Sequence, residues 1–152
     1  MLATLEKKAT VQDCQNLPEG APYQLIAGEL VMTPSPTPLH QNISLNLATE
    51  LRSYLKRNNL GKLFTAPLDA YLSEEDVYQP DILFIRSRRA AAIQKEQLRI
   101  VPDLVVEILS PTTAYYDFTR KKEMYCARGV SEYWIVDPEA ETVEMMVKRG
   151  EI

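Results

Sequence analysis

Glu107 is the residue whose setting most demands chemistry. It stands between Leu104, Val105 and Val106 on one side and Ile108 and Leu109 on the other, and an ionised carboxylate buried alone in such a run costs on the order of several kcal/mol. Two kinds of compensation are open: a structural salt bridge, or a metal ion that puts the charge to use. Asp81, directly after Pro80 at the head of the DILFI run, is a second carboxylate. A proline-aspartate pair is by itself an ordinary turn element. If its strand lies beside that of Glu107, however, the repulsion between the two acids is relieved most directly by a hard cation with oxygen ligands, Mg2+ first and Mn2+ as its substitute. Lys121 lies four residues beyond Asp117 and four before Tyr125, so a helix there puts all three on one face. Turned inward, this lysine balances the acids and can steady charge developing on phosphorus. Turned outward, like its neighbour Lys122, it is an ordinary surface residue.

These side chains need elements to carry them. Thr10 and Asp13 predict the cap of a short helix that stops before Pro18. YQLIAGELVM reads as two strands around an Ala27-Gly28 turn, and TPSPTP as a stiff loop. Leu39, Ile43, Leu47, Leu51 and Leu55 recur every four residues and draw one apolar stripe along a helix from about Pro38 to Asn58. KLFTA, LDAYL and DILFI are expected as adjacent strands, with an acidic loop before the last. Arg88 to Leu98 is expected as a surface helix, DLVVEIL as a strand buried on both faces, and Tyr116 to Arg128 as a helix ended by Gly129. EYWIV and TVEMMV close the chain as a strand pair. Alternating strands and helices in the second half predict an α/β fold with a mixed sheet flanked by helices.

Composition removes other chemistries. At 152 residues, 45% apolar and 25% charged, the chain has the makings of one globular domain. No apolar run exceeds four residues, against the roughly 20 a membrane helix needs, so no membrane partner is expected. The charged N-terminus, MLATLEKKAT, does not indicate export, and a cytoplasmic location is the expectation. Cys14 and Cys126 are too far apart for a CxxC zinc site, and His40 as the only histidine excludes HExxH. The five glycines are too scattered for a phosphate-cradling loop. The net charge of -4 disfavours a nucleic-acid partner, yet charge is segregated. Arg86, Arg88, Arg89, Lys95 and Arg99 face only Glu96 in their stretch, whereas Asp69 to Asp81 carries acids alone. The basic stretch is either a solvated surface or a phosphate-binding face.

Taken in order, YQLIAGELVMTPSPTPLHQ, VYQPDILFI, VPDLVVEILSP, YDFTRKKEMY and GVSEYWIVDP resemble a widespread bacterial family of restriction endonuclease-like proteins, long catalogued as a domain of unknown function, within the PD-(D/E)XK nuclease superfamily. The resemblance covers roughly residues 10 to 147. It implies a restriction endonuclease-like fold with a central mixed sheet between helices, and a metal-dependent phosphodiesterase site at one end of the sheet. Asp81 matches the superfamily's PD aspartate and Glu107 its second acid. The usual lysine two residues further on is replaced here by Leu109, and Lys121 on the following helix is the substitute the resemblance implies. Glu29 and His40 fit recurrent positions near the site as accessory residues. The implied activity is Mg2+-dependent cleavage of DNA, with Arg86, Arg88, Arg89, Lys95, Arg99, Arg120 and Lys122 as candidate phosphate contacts. Cutting both strands calls for two sites, hence an expected homodimer. The alternative is a non-catalytic module that binds nucleic acid or protein on the same scaffold. Members of the family usually continue past the point where TVEMMVKRGEI ends, so a shortened C-terminus is also expected.

Overall fold

The computed structural model describes residues 7–150. A short helix, α1 (Val11–Gln15), is held at its start by Asp13, whose carboxylate accepts from the Thr10 amide and hydroxyl at 2.8 and 2.9 Å. The hairpin of β1 (Tyr23–Ile26) and β2 (Glu29–Met32) follows. Ala27 and Gly28 both have positive φ, 51 and 80°, the left-handed pair that a two-residue hairpin turn requires. The non-glycine member is steadied by Asp76, which accepts the Ala27 amide at 2.9 Å. Helix α2 (Pro38–Arg57) starts at Thr37, whose hydroxyl accepts from the His40 amide.

The strands β3 (Gly61–Thr65), β4 (Ala70–Ser73), β5 (Asp76–Tyr78) and β6 (Ile82–Arg86) correct the expected arrangement. KLFTA pairs with DILFI, but LDAYL does not join them: β4 and β5 pair with the first hairpin in a separate four-stranded antiparallel sheet, ordered β2-β1-β5-β4. Pro67, which has no amide proton, lies between β3 and β4 where the chain changes sheets. The acidic segment is also not all loop, since Asp76–Tyr78 is a strand. Its aspartate is buried and accepts from the Tyr78 and Ser73 hydroxyls at 2.6 and 2.7 Å.

The expected surface helix is replaced by one 3-10 segment, Ser87–Ala92. Within it and just after, Ile93 is the only large apolar side chain, so there is no stripe to bury and nothing to hold an α-helix down. Strand β7 (Leu104–Ile108) is buried at every position, as its apolar run predicts. The long helix divides into α3 (Ala114–Phe118) and α4 (Arg120–Arg128). The break is at Thr119, whose hydroxyl donates to the Tyr115 carbonyl at 2.6 Å and diverts the local backbone. Gly129 ends α4 with φ 81°. Strands β8 (Glu132–Asp137) and β9 (Thr142–Val147) complete a five-stranded mixed sheet, β3-β6-β7-β8-β9, in which only β7 and β8 run parallel.

Two faces of this sheet organise the core. Ile43, Leu47, Leu51 and Leu55 of α2 pack on Ile82, Phe84, Val106 and Ile108. Leu39, the first member of the expected stripe, is exposed instead; it lies in the first turn of α2, beside His40, which approaches Asp81 at the start of β6. On the other face Val105, Tyr125, Tyr133 and Ile135 form a second cluster with Ile26 and Tyr78 of the smaller sheet. Parallel β7 and β8 require a crossover. That crossover is α3–α4, which carries Asp117, Lys121 and Tyr125 across the face that Glu107 shares with Val105.

Candidate active site

Asp81 immediately precedes β6 and Glu107 is the penultimate residue of the neighbouring antiparallel strand β7. Both therefore sit at one end of the five-stranded sheet. Asp81 Oδ2 accepts the Ile108 amide at 2.7 Å, and its Oδ1 lies 3.3 Å from His40 Nε2. Glu107 Oε1 accepts from Lys121 Nζ at 3.0 Å and from the Tyr125 hydroxyl at 3.1 Å. Lys121 Nζ lies 3.1 Å from Asp117 Oδ1, so the lysine keeps this i, i+4 partner despite the helix break. Tyr133 donates to the Asp117 carbonyl at 2.8 Å and fixes that turn.

The cluster is carboxylate-rich and largely dry. Lys121 is 2% exposed and Glu107 3%, while the side chains of Asp81 and His40 retain 17% and 15%. Solvent therefore reaches the cluster mainly from the Asp81–His40 side. Burial pushes Glu107 up to about 8, against the pull of Lys121, with Asp117 and Asp81 adding to the rise. Burial likewise raises Asp117. For Lys121 burial acts downward, but Glu107 and Asp117 outweigh it and the lysine stays charged. His40 is raised above its ordinary value, first by its hydrogen bond to Asp81. Three carboxyl groups thus crowd around the Lys121 ammonium, and the upward shifts of Glu107 and Asp117 reflect the cost of ionising them together, a cost that a divalent ion would relieve. Among the described residues, His40 Nδ1 is buried without a hydrogen-bond partner, and Asp117 Oδ1 is buried with the Lys121 ammonium as its ion-pair partner.

These donors suit a hard cation of the Mg2+ type, which commonly takes one or two protein carboxylates and completes its shell with water and substrate oxygens. They do not suit an all-protein cage: among the described residues, no three His, Cys, Asp or Glu side chains form a group able to hold a metal ion. Asp81 and Glu107 are the pair that would hold the ion.

The remaining candidates are spread over the surface. Glu29 is exposed and lies 3.6 Å from Arg120, outside the buried cluster. Lys122 makes a long exposed pair with Glu144, 3.8 Å. Arg86, Arg88 and Arg89 follow the far end of β6, away from Asp81. Arg89 is committed to Asp103 and to the Val101 carbonyl at 2.9 and 2.7 Å, and Arg86 Nε is 3.7 Å from Asp103. Arg99 donates to Gln97 and stacks over Tyr71. Lys95 is exposed. Two surface cavities, of about 200 and 320 Å³, include none of Asp81, Glu107 and Lys121. Residue-by-residue reading missed Asp103, although its signal was present: Pro102-Asp103 repeats the Pro80-Asp81 pair at the head of the next buried strand.

Among the described residues, no helix is long and apolar enough to cross a membrane. No curated protein matches the chain. Among solved structures, it is similar to a nuclease from Anabaena variabilis ATCC 29413, described as "putative" and as belonging to DUF820. The likeness has a TM-score of 0.81 at 24% identity and covers 93% of this chain and 81% of that one. That agreement establishes the fold as the α/β, nuclease-like architecture with a central mixed sheet. Residues 11–151 match the family model Uma2, described as "Putative restriction endonuclease", and with nearly the whole chain matched, the protein belongs to the Uma2 family.

Proposed function

We propose that this protein is an Mg2+-dependent endonuclease acting on phosphodiester bonds of DNA, with Asp81 and Glu107 as the metal-holding acids and Lys121 as the cationic partner. The observation that carries the reading is the meeting of two carboxylates on adjacent strands with a single buried ammonium 3.0 Å from one of them. The family description and the nuclease named among similar structures point to the same chemistry. When bound, Mg2+, or Mn2+ in its place, would supply Lewis acidity at the phosphoryl group and acidify the attacking water.

The chain's own residues prepare for that chemistry. The Ile108 amide fixes the orientation of Asp81, and the Tyr125 hydroxyl with Lys121 fixes Glu107. Because these bonds lie in a nearly dry setting, the groups need little reorganisation when charge develops beside them. Lys121 holds its proton throughout the neutral range and stabilises negative charge electrostatically rather than by proton transfer. Arg120 and Lys122 flank it on α4 in long, exposed pairs, which makes them the candidate phosphate contacts nearest the cluster. Two-strand cutting would use two copies of the chain.

The test is cleavage of supercoiled plasmid, single-stranded DNA and RNA with Mg2+ or with EDTA. Expected are DNA cutting only with metal, and its loss in Asp81→Asn and Glu107→Gln variants that keep the wild-type circular dichroism spectrum. Undiminished cutting by both variants would remove the proposal.

A second reading rests on one observation: Lys121 and Glu107 have almost no solvent contact, and the lysine already has two carboxylate partners. On that reading the cluster is a structural ion network in a non-catalytic binding module. Titration calorimetry with Mn2+ separates the two, since a structural network shows no binding that depends on both Asp81 and Glu107.

A further inference from the structure

The other end of the five-stranded sheet carries a cavity of about 200 Å³ lined by Arg88, Arg89, Arg128, Asp103 and Gly129, among others. We propose that this cavity is an oxyanion site for a single phosphate group, separate from the acid–lysine cluster. Strand β6 runs from Asp81 to the arginine end, and its five residues span roughly 17 Å at about 3.3 Å per residue.

The cavity combines an excess of positive charge with a partly fixed geometry. Among the described lining residues Asp103 is the one acid, and its carboxylate is already taken. Oδ2 accepts the Arg86 amide at 2.8 Å, and Oδ1 lies 2.9 Å from Arg89 Nη1 and 3.7 Å from Arg86 Nε. Arg89 is further tied by its bond to the Val101 carbonyl, so one guanidinium is held rigidly at the cavity wall. Arg88 and Arg128 approach from two different elements, the 3-10 segment and the end of α4. Neither makes a hydrogen bond or ion pair among the described residues. Gly129 leaves the wall open, with no side chain of its own between Arg128 and the cavity.

Like charges gathered around a concavity repel unless an anion sits between them. Guanidinium forks match the paired oxygens of a phosphate better than any single-point ligand does. A hard cation is excluded by the same charges. The phosphate group has two possible sources, a nucleic-acid strand or a free phosphate compound, and the chemistry of the site is common to both. An occupied site would not depend on divalent metal, so it stands or falls independently of the proposed nuclease activity.

The experiment is calorimetric titration of inorganic phosphate, in EDTA, into wild-type protein and the Arg88→Ala/Arg128→Ala double variant. Both replaced side chains are exposed, and a thermal melt checks that the variant folds. Expected is one saturable site per chain, weakened at least tenfold in the double variant and in Arg88→Glu, and unchanged in Asp81→Asn. The absence of saturable binding to the wild type, or equal binding by the double variant, would overturn the proposal. Competition with an oligonucleotide then names the source. Displacement of phosphate by the oligonucleotide assigns the site to a nucleic-acid phosphate, and failure to displace it assigns the site to a free phosphate compound.

Discussion

The two ends of the β6–β7 pair are built with the same device and put to different use. At one end Pro80-Asp81 enters β6, and Asp81 Oδ2 accepts the Ile108 amide at the close of β7, 2.7 Å. At the other, Pro102-Asp103 enters β7, and Asp103 Oδ2 accepts the Arg86 amide at the close of β6, 2.8 Å. The antiparallel pairing relates these two bonds by an approximate local two-fold axis. What differs is the charge around them. Asp103 is met by Arg86 and Arg89, and its charge is neutralised locally. Asp81 is met by His40 and stands beside Glu107 and Asp117, and among the described residues Lys121 is the permanent cation paired with these last two acids. A proline-aspartate pair therefore marks a strand entry. Only its neighbours decide whether the carboxylate is structural or has charge left over for a ligand.

The largest effect that sharpens this contrast is expected from Lys121→Met. Removing the one buried cation strands two buried carboxylates, so urea denaturation should show a loss of about 3–5 kcal/mol. A loss below about 1 kcal/mol would mean that the lysine is not the cluster's counter-charge.

The twin aspartates come next. Asp103→Ala leaves the Arg86 amide and two guanidinium groups without their acceptor and should cost about 1–3 kcal/mol in the same assay. Its effect should be on stability alone, with the rise in melting temperature on adding Mn2+ preserved. Asp81→Asn should do the reverse, keeping most of the stability and losing the Mn2+ effect. Equal behaviour of the two variants would break the comparison.

The acid end should also show itself in pH dependence. Because burial holds Glu107 at about 8, above its ordinary 4.5, the folded state binds more protons than the unfolded one between those values. Stability from this group is therefore lost as pH rises from about 4.5 to 8. The upward shifts of Asp117 and His40 act in the same direction. Chemical denaturation across this range should show falling stability, and Glu107→Gln should flatten the trend. The smallest effect is expected on the surface near the cluster: breaking the exposed Lys122–Glu144 pair with Lys122→Ala should change stability by about 0.5 kcal/mol or less.

Much of this arrangement was legible in the sequence where local pattern and tertiary packing agree. The stripe Ile43 to Leu55, the buried run of β7, the glycine stop at Gly129 and the closing strand pair all appear where the apolar periods and turn residues put them. The misses arise where a tertiary partner, a single local hydrogen bond or a missing apolar face overrides the composition. The transfer of LDAYL to a second sheet depends on pairing with β5. The break at Thr119 depends on one hydroxyl taking a carbonyl from the helix. Arg88 to Leu98 had helical composition but no apolar face. Within the candidate site, the types and positions of Asp81, Glu107 and Lys121 could be read in advance. The burial of Asp117 and the bond from Tyr125 to Glu107 could not, since both follow from how the crossover settles on the sheet.

The most direct test of the central claim, that the acid end has charge left over for a divalent ion, is calorimetric titration of Mn2+ into the wild type, Asp81→Asn and Glu107→Gln. A single site is expected in the wild-type protein, abolished by each substitution. Equal binding by all three proteins, or none by the wild type, would contradict it.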